Sequence, residues 1–296
     1  MSVVSLMPSV PACSPDFCRG VSAYGRHFSV GGNAAWSSCD ALRLLTKDRP
    51  AQGRRVVVLV FVRRCMTVEG EEDRHLCNLF SYTKGQQAIR ALANVMNDRT
   101  GNLPPLPGIF PDYAAPIVRN QPEGRELAMA RWGMPSPIFA VKGRNSDPGV
   151  TNVRNVASPH WRRWLGVESR CLVPFTSFAE NEQMPDGSRP PIWFALDETR
   201  PLAFFAGIWT RWTSVRKVKE GETTNDIFAF LTTEPNTLVK AFHPKAMPVI
   251  LRTREEIDLW MTAPAPEALA LQRPLPDDAL MIVARGGKKD EGGVTV

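Results

Sequence analysis

The sequence predicts an α+β domain with a mostly antiparallel, barrel-like β core and peripheral helices. Three observations point there. From residue 77 on, short apolar runs follow one another with few helical stretches between them, unlike the regular strand–helix alternation of a doubly wound parallel sheet. Several of these runs are continuously apolar, as the strands of a buried sheet or barrel are. No repeat or linker interrupts residues 77–284, and about 210 residues suit one domain.

The first 75 residues differ from the rest. They hold four of the six cysteines, Cys13, Cys18, Cys39 and Cys65, without a regular helical or strand pattern. The apolar run from Val56 to Val62, flanked by arginine pairs, is far short of the ~20 residues a membrane helix needs. It also lies too far from Met1 to be a signal peptide. The cysteines lack metal-ligand spacing and nothing marks the chain as secreted, so no disulfide framework is drawn and a cytoplasmic protein is expected. Residues 1–75 are therefore expected to be a leader, disordered or not translated in the native protein. The second alternative has a mechanism. A leucine codon can serve as an initiator decoded as Met, so initiation at Leu76 yields Met-Cys-Asn-Leu-Phe, and removal of that Met exposes Cys77. A start at Met66 would leave eleven further residues to remove.

Residues 76–285 form the expected domain. Thr83 and Gln86 fit a capping box, with Ile89, Leu92, Ala93 and Met96 on one face of the helix that follows. Gly101 and the prolines of 104–107 stop it. Residues 113–118 and 125–132 read as strands across a turn at 120–124, and Ser158-Pro159 opens a short helix. Strands are expected at 170–175, 191–196, 203–209 and 227–232, a helix at 235–242 and another strand at 247–251. Thr253 with Glu256 caps a helix running to Met261, and residues 279–284 close the domain as a strand. Residues 286–296 are a polar, flexible tail.

The formal net charge of +6 leans towards anionic partners, nucleic acid among them. Few residues from 77 onward can carry nucleophilic or metal chemistry. The two cysteines and two histidines at 77, 171, 160 and 243 show no ligand spacing, so neither a metal nor another cofactor is expected. Cys171 lies in an apolar strand and His160 in a tryptophan-rich helix, where packing roles are the simpler reading. His243 stands between a helix and a strand, flanked by prolines, where folds aim side chains at sites. Glu180 closes an apolar run. Desolvation there would raise its pKa into the range of a general acid, and a solvated loop acid is the alternative. Asn152 offers an amide to orient an oxygen, or is a turn residue. A Cys77 with a free α-amino group would be an aminothiol, able to form a Schiff base with an aldehyde and close it to a thiazolidine.

Seven elements then fall in the order of one family: Leu76-Cys77, Trp132-Gly133-Met134-Pro135, Asn152-Val153-Arg154, Arg170 through Glu180, Ala206-Gly207-Ile208-Trp209, Thr232-Thr233-Glu234-Pro235-Asn236 and His243 through Pro248. On these the chain resembles the SOS-response-associated peptidase (SRAP) family, whose members cross-link to abasic sites in single-stranded DNA. The resemblance implies a single SRAP-like domain and a monomer, cytoplasmic and associated with the nucleoid when bound to DNA. It also implies roles: Cys77 as amine and thiol, Glu180 as proton donor to the deoxyribose ring oxygen, Asn152 as holder of amine or sugar, His243 in proton transfer and Arg154 on a flanking phosphate. Arg211, Arg216, Lys217 and Lys245 are further candidates for DNA contact, since cations beside aromatics grip single strands.

The family's Gly-Arg after the cysteine is Asn78-Leu79 here, and its His-to-Met-Pro element is one residue longer, with Lys245 in place of an arginine. Two other functions stay open: a cysteine peptidase using Cys77 and His243, and a non-covalent single-strand binder.

Overall fold

A computed structural model of the chain describes residues 78–290 and, before them, two strands, β1 (Leu42–Lys47) and β2 (Val56–Phe61). Leu76, Cys77 and the polar end beyond Asp290 lie outside the described residues. β1 and β2 pair antiparallel, with Leu42 opposite Phe61 and Lys47 opposite Val56. The expectation of no strand pattern in the first 75 residues is corrected at this point: the valine run is too short for a membrane but long enough for a strand, and β-branched residues favour extended backbone. The chain divides into two compact units, Met1–Glu71 and Glu72–Val296, and the second holds every element after β2.

That unit opens with β3 (Leu79–Tyr82), helix α1 (Gln86–Leu92), β4 (Val95–Asp98) and β5 (Leu106–Ile109). The long hairpin β6 (Ala114–Gln121) and β7 (Gly124–Trp132) follows, then the one-turn helix α2 (Ile138–Val141), β8 (Asn152–Val153) and α3 (Pro159–Arg162). Next come β9 (Arg170–Phe175), β10 (Ser177–Asn181), β11 (Pro191–Ala195) and a second long hairpin, β12 (Ala203–Val215) and β13 (Glu222–Thr233). Helix α4 (Thr237–Lys240), β14 (Met247–Pro248), β15 (Ile250–Leu251), α5 (Arg254–Thr262), α6 (Ala265–Leu269) and β16 (Met281–Arg285) complete it.

β13 pairs with β12, β12 with β9, β9 with β6 and β6 with β7, all antiparallel. A short parallel pairing of β7 with β13 closes the ring. The result is the mostly antiparallel, five-strand barrel that the continuously apolar runs predicted, with helices outside it. A second, antiparallel sheet runs in the order β16-β11-β10-β3-β5. Phe80 on β3 joins the two. Its ring meets those of Trp132, Phe205 and Phe230 edge to face at 5.0, 5.6 and 6.1 Å, so three barrel strands hold an inner strand of the other sheet.

Several element ends differ from expectation. Gly85, not Thr83, precedes α1 as its cap, because Gln86 turns its amide towards Asp98 (2.5 Å) and the Gly101 carbonyl (3.0 Å). The helix stops at Leu92, where Asn94 takes a φ of 51°. Met96 therefore falls on β4 and is exposed. The predicted 235–242 helix is the single turn α4, and the 247–251 strand is split at Val249 between β13 and β12. The Thr253–Glu256 capping box on α5 is as expected.

The tail is also shorter than expected. Trp193 donates its indole N–H to the Gly287 carbonyl at 2.8 Å, and the buried Asp290 carboxylate accepts from Arg200 (2.8 Å) and from the Ser177 hydroxyl. Residues up to 290 are tied down because a buried carboxylate with a paired arginine anchors them.

Candidate functional site

The site candidates gather where the β3–β10 end of the second sheet faces the barrel. Glu180 on β10 is buried, on the same face of its strand as the core residue Phe178. Ala179 lies opposite Leu79 in the antiparallel register. Continued by one residue, that register brings Asn78, the first described residue of the domain, level with Glu180.

His243 reaches the same place from the barrel side. It follows α4, whose Asn236 cap accepts from the Val239 N–H at 3.0 Å, and the His243 N–H donates to the Val239 carbonyl at 2.8 Å. The imidazole is buried, with Nδ1 2.8 Å from the Ala246 carbonyl and 4.0 Å from Glu180 Oε1. A carbonyl can only accept, so Nδ1 carries the proton and donates. In the neutral ring Nε2 is then the basic nitrogen. A carboxyl and an imidazole held so close can exchange a proton with a bound substrate from either partner.

Asn152 arrives on β8, which pairs in parallel with β13 and sets Asn152 opposite Phe230. It is buried and faces the same interior as Phe230. Its Nδ2 donates to Thr151 Oγ1 at 2.9 Å, and the Thr151 hydroxyl donates to Asn78 Oδ1 at 3.0 Å. The Thr151 carbonyl is held by the Trp132 indole N–H at 3.0 Å, which gives the Trp132-Gly133 element a task at the site. Neither Thr151 nor Asn78 was singled out for a role by its sequence. Thr232 was not either; its buried hydroxyl, two residues beyond Phe230 on the same face, has no hydrogen-bond partner among the described residues.

Arg154 is half-exposed and ties this segment to the histidine turn, donating to the Lys245 carbonyl at 3.2 Å and to Glu234 at 3.1 Å. Lys245 itself is exposed beside it. The other cations are elsewhere. Arg211 pairs in register with Asp226, four residues before Phe230 and so roughly 14 Å along β13 from the Asn152 pairing. Its side chain is 70% exposed. Lys217 is further off, beyond the Val215–Glu222 end of the hairpin, 2.7 Å from Asp112.

Arg216 departs most from its expected place. Its side chain is 1% exposed, donating to the Gly133 carbonyl at 2.6 Å and the Asp147 carbonyl at 3.3 Å. Gly133 (φ 140°) and Gly149 (φ 80°) form its cradle; a Cβ on either would stand 2.1–2.2 Å from a guanidinium nitrogen. Burial draws the Arg216 pKa down, and the charges of Asp147 and Asp112 work against that. In this position Arg216 binds protein, not DNA. The alternation of a basic run in sequence gave no sign that one member turns inward.

Cys171 and His160 take the packing roles expected of them. Cys171 is fully buried, and desolvation pushes its thiol well above the usual range, so it is no nucleophile. His160 Nε2 lies 2.8 Å from the Pro135 carbonyl, and its ring packs against Trp161 and Trp164.

Comparison with known proteins supplies the family. Residues 76–284 match the model of the SOS response associated peptidase (SRAP) family. Curated relatives include the abasic site processing proteins YoaM of Bacillus subtilis (28% identical over 164 residues, 54% of this chain and 67% of YoaM) and YoqW of Bacillus phage SPbeta (28% over 166 residues, 54% and 68%). A crystal structure of a Bordetella bronchiseptica protein superposes with a TM-score of 0.55 at 23% identity, covering 70% of this chain and 98% of that one. One from Bacteroides thetaiotaomicron gives 0.51 at 21%, covering 70% and 90%. The matched fold thus makes up nearly the whole of the Bordetella bronchiseptica chain. The chain belongs to the SOS response associated peptidase (SRAP) family.

Proposed function

We propose that the protein processes abasic sites in single-stranded DNA by forming a covalent cross-link through Cys77 as the first residue of the mature chain. The carrying observation is the buried Glu180–His243 pair, 4.0 Å apart, at the end of the sheet where the described domain begins. Cys77 directly precedes Asn78 in the chain, a step of about 3.8 Å between Cα atoms. The names of the Bacillus relatives support abasic sites as the substrate class.

In this mechanism Glu180 gives a proton to the deoxyribose ring oxygen as the C1′–O4′ bond breaks, the C1′ hydroxyl gives up its proton to restore the Glu180 carboxyl, and the sugar opens to its aldehyde. The α-amine of Cys77 adds to the aldehyde carbon, water leaves, and a Schiff base forms. The thiol then adds across the C=N bond: sulfur joins carbon, the proton goes to nitrogen, and the thiazolidine ring closes. An α-amine with a pKa of about 7.7–8.0, against about 10.4 for lysine, has far more neutral, nucleophilic form at neutral pH. His243, basic at Nε2, takes and returns protons during addition and loss of water. Asn152 orients the amine, and Arg154 with Lys245 offers charge to a flanking phosphate.

The test uses the chain starting Met-Cys77, its Met removed and its mass checked, with an oligonucleotide carrying one abasic site. A heat-stable adduct is expected, absent in Cys77→Ala. An undiminished adduct in that variant sinks the proposal. Turnover of an unrelated peptide would instead favour a cysteine peptidase, and binding fully reversed by salt without an adduct would favour a plain strand binder.

A further inference from the structure

We infer that Asn78 is a positioning residue that, through Thr151, fixes which way the Asn152 amide faces. The inference rests on the cross-linking reading above and adds a residue to it. The chain of contacts is short: Asn152 Nδ2 to Thr151 Oγ1 at 2.9 Å, and Thr151 Oγ1 to Asn78 Oδ1 at 3.0 Å.

A hydroxyl has one proton. Where Asn78 Oδ1 takes it, Thr151 has only lone pairs to offer Asn152, so the amide must turn its NH2 to Thr151. Its Oδ1 is then directed away from Thr151, as an acceptor suited to an amine N–H. Without Asn78 the hydroxyl can rotate and donate to Asn152 Oδ1, so Thr151 no longer favours one orientation of the amide. A reversed amide presents N–H groups to an amine and no longer orients its lone pair towards the aldehyde carbon. Trp132 holds the Thr151 backbone through its carbonyl, so the rotation is confined to side chains and leaves the fold intact.

The experiment measures single-turnover adduct formation from pH 5 to 9, on the chain from Cys77 onward and an abasic oligonucleotide. A wild-type chain that forms no adduct refutes the cross-linking reading itself, separately from this inference. With an active wild type, Asn78→Ala is expected to lower the plateau rate about threefold to tenfold, the worth of one oriented hydrogen bond, at unchanged affinity for undamaged DNA. Asn78→Asp can only accept, so it keeps the plateau rate; its added negative charge beside the amine moves the pH profile upward. Adding Asn78→Ala to Thr151→Val should cost nothing more, because the relay is already broken. A wild-type rate in Asn78→Ala, a plateau in Asn78→Asp as low as in Asn78→Ala, or additive losses in the double variant would each overturn the inference.

Discussion

The Glu180–His243 end of the second sheet and the Arg216 cluster are both dense in charge, yet they are built in opposite ways. Around Arg216 the charges close on the protein itself. Asp112 accepts from Arg131 at 2.5 and 2.7 Å and from Lys217 at 2.7 Å, and the guanidinium of Arg216 goes to backbone carbonyls inside a glycine cradle. Burial alone would raise the Asp112 carboxyl, but those cationic donors outweigh it and hold it below the ordinary carboxylate range. Around Glu180, by contrast, carboxyl, imidazole and amide converge from three chain segments on the first described residue of the domain. The first cluster stabilises a loop; the second brings together groups from segments far apart in the chain.

The comparison breaks first at Glu180. Glu180→Gln is expected to slow adduct formation by about 10²- to 10⁴-fold, the usual worth of a general acid. Its denaturant midpoint should hold, since a neutral amide costs no more to bury than a protonated carboxyl of the same size. A fall in stability that matched the loss of rate would make Glu180 structural. Arg216→Met should do the reverse. Removing the cation leaves the buried Gly133 and Asp147 carbonyls without their donor and costs about 1–3 kcal/mol for each, read from urea unfolding. An Arg216→Met protein of wild-type stability would refute the clamp.

Salt dependence sharpens the contrast further. Arg154→Ala should lower the slope of log affinity against log salt by about one, as loss of a phosphate contact does, at little cost in stability. Residual folded Arg216→Met should keep the wild-type slope. The smallest effect is expected at Tyr82. Its hydroxyl is buried with no hydrogen-bond partner among the described residues, and burial, with the charge of Asp98 adding, pushes its pKa up to about 12. An unfolded tyrosine titrates near 10, so between about pH 10 and 12 the unfolded chain has lost a proton that the folded one keeps, and stability falls as pH rises. Tyr82→Phe should flatten that alkaline limb while leaving stability near pH 7 unchanged or slightly higher. An unchanged alkaline slope, measured by denaturant midpoints from pH 9 to 12, would count against it.

Local chemistry by itself determined the strand-rich class, the hairpin around residues 120–124, the capping box at Thr253 and the packing roles of Cys171 and His160, because periodicity, caps and composition act over a few residues. The ordered motifs pointed to Asn152, Glu180 and His243 without saying how they meet. Which cations face solvent was not legible: Arg216 and Lys217 are neighbours in sequence, yet one side chain is 1% exposed and the other 60%. Nor was the tethered end at Asp290, which depends on Arg200, 90 residues earlier. Those outcomes rest on the closing of the barrel and the register of β3 on β10. Both bring together segments far apart in the chain, and no local preference encodes a contact whose partner lies a hundred residues away.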